Sequence, residues 1–334
     1  MIDVLVDADV LGRQRTGDET YVENLLRQLP VAAPELRVAA VTRHPSRVPD
    51  GVEALELSVG SQELRMAWKL PRLLRRVGPK VGHYQHALPL RPVGRTVLTV
   101  HDLSFEREPR LMSRKDRLVF RTTVPRSARR ADRVIAVSER TRDDLLELYR
   151  IPIEKVRVIP HGVDPVFSPD DGPRAGYLLF VGAVQRRKDP TAALEAARDL
   201  QMRLVVVGPE RDAALAAELR DRGADVRGYV GKSELADLYR AAACLVVPSR
   251  YEGFGLPVLE AMASGTPVVA APDPALMEVA GEAAVYAESR DLGGAILHAL
   301  ERRGELRTAG LERAAQFSWA ETARRTVDVY RELL

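Results

Sequence analysis

Residues 244–270 read CLVVPSRYEGFGLPVLEAMASGTPVVA. The run CLVV is short and apolar, the pattern of a strand buried on both faces, and VVA at its far end repeats the signal. Between them, Leu256 to Ala263 has the composition of a helix. Strand, helix and strand in that order make one crossover unit of a parallel sheet. Gly253 and Gly255 permit a tight turn before the helix and a close approach of backbone to a ligand. A helix N-terminus after such a turn is an anion site, because its unpaired N–H groups and its dipole both favour negative charge. Glu252 precedes the turn and Glu260 lies about two helical turns beyond it, so the two carboxylates cannot serve one atom. Acceptor-only groups at two depths suit a ligand with hydroxyls at both ends, and a nucleotide sugar has that shape. An isolated pair of glutamates at this spacing also reads as two solvated charges; the EGFG and PVLEA between them favour the ligand.

Outward from this stretch the same alternation continues to both ends. The first half gives IDVLVDADV, a helix from Asp18 to Leu29, VRVAAVT, a weaker VEALELS, a helix from Leu64 to Arg76, VGHYQH, RTVLTVHDL, a helix from Ser113 to Arg130, DRVIAVS, a helix from Glu139 to Tyr149 and VRVIPHGVD. The second half restarts with GYLLFVGA and runs through RLVVVG and VRGYV, each followed by a helix, to the focal stretch. Residues 160–173, rich in Pro, Gly and Asp, join the halves as a linker. The fold class is therefore α/β, with two doubly wound parallel-sheet (Rossmann-like) domains facing a cleft. Ligands of open parallel sheets bind at the carboxyl ends of the strands.

Composition bounds the rest. The chain has 334 residues, enough for two cores, with 46% apolar and 29% charged residues, ordinary for a globular protein. Its single cysteine, Cys244, lies in an apolar run and suggests a buried thiol in a reducing compartment. Asp3, Asp7 and Asp9 stand where a secretory signal would need basic residues and an apolar stretch, and no run approaches the ~18 apolar residues of a spanning helix. A cytoplasmic protein is expected. Residues 1–164 carry 29 Lys+Arg against 22 Asp+Glu, net +7, and the remainder 21 against 25, net −4. Within the first half, LRMAWKLPRLLRR interleaves cations with Leu, Met and Trp near helical spacing. That reads as a peripheral contact with an anionic membrane, at the inner face, or as a solvated basic face over a core-facing leucine stripe. Nucleic acid is disfavoured, since no aromatic-lined strand accompanies the charge.

EGFGLPVLEAMASGTPVVA resembles the donor-site signature of retaining glycosyltransferases of family 4, which have the GT-B fold. The resemblance extends along most of the chain and is nearest to mannosyltransferase-like members. It implies an N-terminal acceptor-side domain of residues 1–164 plus 317–334, the last helix crossing back, and a donor domain of residues 165–316. After GYLLFVG come Gly182 and the loop AVQRRKD, where the family often has GxxxPRKN; Lys188 matches its phosphate-binding lysine and Arg187 the neighbour. Cations after a strand end suit a pyrophosphate independently of the family. Ala183 replaces an arginine that some members carry. Gly208 is a further strand-end glycine, and the loop with Tyr229 and Val230 is where such members hold the base through backbone groups. The donor set is thus Gly17, Gly182, Arg187, Lys188, Gly208, Tyr229, Val230, Glu252, Gly253, Phe254, Gly255, Leu256 and Glu260.

On the acceptor side stand Gly17, His101 and Asp102. Gly12 to Gly17 (GRQRTG) resembles the family's glycine loop, although Asp18 and Glu19 replace its usual basic residue and only Gly17 transfers. In HDLSFEREP, members with HDL place the histidine beside the transferred sugar; His83 and His86 line the acceptor pocket or simply pack. The catalytic residues expected are His101, Glu252, Lys188 and Arg187. GxGxxG is absent, which removes the main support for a dinucleotide enzyme. Asp7 and Asp9 form an Asp-x-Asp on the first strand, but with Arg186, Arg187 and Lys188 available to neutralise phosphate no metal and no other cofactor is expected. The expected activity is transfer of a hexose, mannose from GDP-mannose, to a hydroxyl acceptor such as a lipid-linked group or a glycan. The alternatives are UDP-glucose or UDP-N-acetylglucosamine as donor, a nucleotide-sugar epimerase, and a non-catalytic sugar-nucleotide binding protein.

Overall fold

The computed structural model describes residues 2–13, 16–109, 114–170, 172 and 175–334. Gln14 and Arg15 of the glycine loop, Ser113 at an expected helix start, and Asp171 and Pro173 of the linker lie outside the described residues. The chain divides into two compact units, Met1–Gly162 with Trp319–Leu334, and Val163–Ser318.

The first unit is built on seven strands: β1 (Val4–Asp7), β2 (Val38–Thr42), β3 (Glu53–Glu56), β4 (Val81–Gln85), β5 (Arg95–Val100), β6 (Arg133–Ala136) and β7 (Val156–Val158). They lie in the order β3-β2-β1-β4-β5-β6-β7, every pair parallel, so strand order reverses between β1 and β4. Inner strands such as VLVD are buried throughout, whereas the edge strand β3 carries exposed Glu53 and Glu56, charges that discourage pairing with another chain. Leu5, Leu70, Leu74, Leu98, Phe105 and Val134 belong to its core. The helix Trp319–Arg331 completes this unit: Thr322 Oγ1 donates to the Pro160 carbonyl at 2.8 Å, and the Tyr330 hydroxyl meets His83 Nδ1 at 2.6 Å.

Three local readings of this unit are corrected. The first helix spans Thr16–Ala32, so Gly17 lies in its first turn and not in a loop before it. The expected helix from Leu64 to Arg76 is Gln62–Leu64, a wider π-helical turn Arg65–Lys69, and Leu70–Val77. Pro71 has no N–H to return to the preceding turn, and the wider turn accommodates it. Of the two aspartates expected on the first strand, only Asp7 ends β1; Asp9 lies in the turn after it. Both reach the fully buried Arg65, whose Nη1 donates to Asp7 Oδ2 at 2.9 Å and whose Nε lies 3.4 Å from Asp9 Oδ1. Arg43 and Arg13 also bond Asp9, at 2.7 and 2.8 Å.

The second unit holds six strands: β8 (Leu178–Val181), β9 (Leu204–Val207), β10 (Asp225–Gly228), β11 (Cys244–Val247), β12 (Val268–Ala270) and β13 (Val285–Tyr286). Their order is β10-β9-β8-β11-β12-β13, again all parallel, and it reverses between β8 and β11. Phe180, Leu194, Val206, Leu215, Val246 and Ile296 fill the core with Cys244, whose thiol burial pushes up to about 12. Asp189, Asp212 and Asp273 each cap the helix that follows by accepting its first N–H groups.

Candidate functional site

In a doubly wound sheet the crevice forms at the carboxyl ends of the two strands where the order reverses. In the second unit those strands are β8 and β11, and their trailing loops carry Arg187 and Lys188 on one side and Glu252 on the other. The loops are joined along their length. Arg250 N–H donates to the Arg187 carbonyl at 3.0 Å, Arg187 Nη1 donates to the Tyr251 carbonyl, and Lys188 Nζ bonds both Glu252 oxygens, Oε2 at 2.6 Å. Arg187 Nη1 lies 4.0 Å from Glu252 Oε2. Burial pushes the Glu252 carboxyl up, but Lys188 and Arg187 outweigh it and hold it below the usual carboxylate range. At 7% exposure, Glu252 is no surface charge. Its backbone N–H lies 3.4 Å from Asp273 Oδ2, a buried cap the sequence reading passed over because it sits beyond β12.

Gly253, Phe254 and Gly255 form the turn. Gly255 has φ 110, and a Cβ there would come within 2.8 Å of Leu276 Cδ2, so the position needs glycine for its conformation and its packing. Helix Leu256–Ala263 follows. Pro257 has no N–H, so an anion here would be met by Leu256 and the turn before it. Gly182 and Gly208 directly follow β8 and β9, so close together that a Cβ on Gly208 would lie 2.1 Å from the Gly182 carbonyl oxygen. Gly208 is therefore an obligatory close-approach glycine, not an ordinary turn residue.

Glu260 is buried in the helix, where Tyr239 donates its hydroxyl to Oε2 at 2.9 Å. Burial lifts the Glu260 carboxyl to about 7, a rise the Tyr239 bond only partly offsets. Tyr239 is a partner no spacing rule predicted, since it sits on the neighbouring helix Lys232–Ala241. Tyr229 and Val230 follow the edge strand β10, two strands from β8; Tyr229 is exposed and Val230 half-buried. No bond among the described residues joins their side chains to Arg187, Lys188 or Glu252.

In the first unit His101 follows β5, buried, with Nε2 at 2.9 Å from Gln85 Oε1 and its ring edge-on to Tyr21 at 4.9 Å. Burial holds its imidazole down at about 4, so it is uncharged near neutrality. Asp102 Oδ1 accepts from Ser104 N at 3.0 Å and Ser104 Oγ at 2.9 Å, which makes it the residue that shapes the turn after His101. His83 is fully buried between Tyr330 and Thr99, a packing role that removes it from the acceptor-lining candidates.

Two family models match the chain, one described as glycosyl transferases group 1 over residues 175–302 and one as glycosyltransferase family 4 over residues 15–167. O-antigen chain mannosyltransferase B of Escherichia coli is 31% identical over 272 residues, which cover 72% of this chain and 71% of that protein. D-inositol 3-phosphate glycosyltransferase 1 of Catenulispora acidiphila is 37% identical over 243 residues, 61% of this chain and 58% of that one, so the chain spans less than two thirds of this relative's length. Sucrose-phosphate synthase from Thermosynechococcus elongatus shares the fold with a TM-score of 0.80 over 100% of this chain and 99% of that chain, at 22% identity. The structure of HepE from Anabaena in complex with UDP-glucose does so with a TM-score of 0.76 over 100% of both chains, at 16% identity.

Proposed function

The chain belongs to glycosyltransferase family 4, with the GT-B architecture of two parallel-sheet domains, and we propose that it moves mannose from GDP-mannose to a hydroxyl acceptor with retention of configuration. The observation that supports this reading best is the convergence of Arg187, Lys188 and Glu252 at the reversal point of the second sheet, beside the start of helix Leu256–Ala263. Arg187, Lys188 and the backbone from Gly253 to Leu256 stabilise the charge that develops on the leaving phosphate. Fixed donors aimed at developing charge are the strongest electrostatic contribution available to an enzyme. Gly182 and Gly208 let backbone approach the diphosphate, the loop at Tyr229 and Val230 holds the base, Phe254 packs beside the turn, and Glu260 accepts the ribose hydroxyls. Glu252 orients the sugar. On the first unit Gly17, His101 and Asp102 form the acceptor side, with His101, whose Nε2–H is given to Gln85, accepting at Nδ1 from a sugar hydroxyl. The acceptor hydroxyl attacks on the face the phosphate leaves, and the departing phosphate oxygen takes its proton. No covalent enzyme intermediate and no metal enters these steps.

Thermal unfolding in the presence of GDP-mannose, GDP, UDP, UDP-glucose and ADP-glucose tests the donor. A ligand at about a hundred times its dissociation constant adds about 2.7 kcal/mol, and that stabilisation is expected with GDP and GDP-mannose. Stabilisation by UDP-glucose alone would overturn the donor assignment and leave the family intact.

The partner reading extends to a membrane surface. Among the described residues no helix is long and apolar enough to cross a bilayer. In the basic stretch, Leu70, Leu73 and Leu74 are buried in the core, whereas Trp68 is 72% exposed and Leu64 is also outward. Leu90, exposed as well, donates its N–H to the Met66 carbonyl at 3.0 Å, and Arg130 approaches the Leu90 carbonyl at 3.4 Å, so apolar and basic groups share one face. Co-sedimentation with vesicles containing phosphatidylglycerol is expected for the protein and is expected to fall several-fold for Trp68→Ala. Equal, negligible binding to neutral and anionic vesicles rejects the contact.

A further inference from the structure

Three chemically matched side chains converge at the carboxyl ends of β4 and β5. His86 follows β4, His101 follows β5, and Asp18 lies in the first turn of helix Thr16–Ala32. One ligand atom from each lies within 4.8 Å of the other two, and His86 Nε2 is 3.8 Å from Asp18 Oδ2. Bonds of about 2.0–2.1 Å to a tetrahedral zinc ion would set neighbouring ligand atoms about 3.3 Å apart, so modest side-chain rotations close the set.

Two features hold the ligands where they are. Gln85 Oε1 at 2.9 Å accepts from His101 Nε2, an outer bond that fixes the ring and leaves its other nitrogen the lone pair a metal takes. His86 sits at φ 57, left-handed backbone that a residue with a Cβ rarely adopts, and its N–H is tied to the Thr99 carbonyl at 2.9 Å. Two imidazoles and a carboxylate match zinc with one position left for water, whereas calcium and magnesium select oxygen ligands.

We infer that Asp18, His86 and His101 form a binding site for a divalent transition metal of the Zn²⁺ class on the first unit. The ion is not part of the transfer chemistry. By engaging His101 it withdraws that ring from the sugar, so Zn²⁺ inhibits transfer; this consequence, unlike the binding itself, rests on the reading of His101 as sugar-facing.

Isothermal titration of the full chain with ZnCl₂, and visible absorption of the Co²⁺ form, test the site. One ion per chain is expected, with a tetrahedral Co²⁺ spectrum, and Asp18→Asn and His86→Gly are each expected to weaken binding at least tenfold. Both variants are chosen to fold: the first is isosteric, and the second relieves the left-handed backbone. The absence of saturable binding, or binding unchanged in both variants, overturns the inference. Tight binding that depends on Asp18 and His86 but leaves mannose transfer undiminished keeps the metal site and refutes the placing of His101 beside the sugar.

Discussion

Lys188→Met is expected to abolish most activity and to destabilise the protein, and the double variant Lys188→Met/Glu252→Gln is expected to recover the stability without the activity. Lys188 is bonded to both oxygens of a nearly buried Glu252, with Arg187 at 4.0 Å. Removing one partner of such a pair leaves an uncompensated buried charge, at a cost of about 3–5 kcal/mol, whereas replacing both partners by neutral groups is close to neutral. Without the ammonium, burial raises the Glu252 carboxyl, which can then take up a proton. The loss in Lys188→Met is therefore largest at alkaline pH and shrinks as pH falls. Activity follows a different rule, because a fixed cation at the leaving phosphate is expected to contribute roughly a hundred- to a thousandfold in rate. Chemical denaturation and donor turnover at about pH 8 separate the two. If the double variant regained transfer, the pair would be a structural ion pair and the phosphate would have to be held elsewhere.

Glu260→Gln is expected to stabilise the free protein at about pH 8 while weakening nucleotide binding. The folded-state Glu260 carboxyl is raised from 4.5 to about 7 by burial. A raised carboxyl favours the folded state below the unfolded value and loses that contribution as pH climbs through the folded one, so the wild type gives up stability between about pH 4.5 and 7. The shift corresponds to about 3 kcal/mol at most. Glutamine keeps an oxygen for the Tyr239 hydroxyl and carries no charge to bury, so the stability difference is expected to grow from near zero at about pH 4.5 to its maximum above pH 7. Ribose hydroxyls donating to a carboxylate contribute more than those donating to an amide, and a loss of roughly ten- to a hundredfold in GDP affinity is expected. A variant less stable than wild type at pH 8, or one with undiminished GDP affinity, would refute the role given to Glu260.

Glu260 also marks where reading the sequence stops. Residues 244–270 specify a strand, a glycine turn, a helix and a strand through local rules alone: apolar runs, φ-permissive Gly255 and helix-forming residues after it. The same rules, repeated along the chain, give both parallel sheets. They err where a side chain's partner is remote. The Asp-x-Asp near the N-terminus reads as a strand feature, yet Asp7 is bonded to and Asp9 ion-paired with Arg65, far along the chain in the π-helical turn.

What the sequence by itself determined is the α/β class, the order of the elements and the residue types at each strand end, because periodicity and turn chemistry act over a few residues. What only the tertiary structure decided is which strand ends are neighbours. The reversal between β8 and β11 brings Lys188 onto Glu252, and that between β1 and β4 sets Asp18 beside His86, which the pairing of β4 with β5 already places next to His101. Strand order follows from how the crossover helices pack on either face of a sheet, a choice made by the whole core and written in no single segment. The same long-range packing brought the two cations that hold the Glu252 carboxyl down against its burial, and set the burial that raises the Glu260 carboxyl beside a tyrosine.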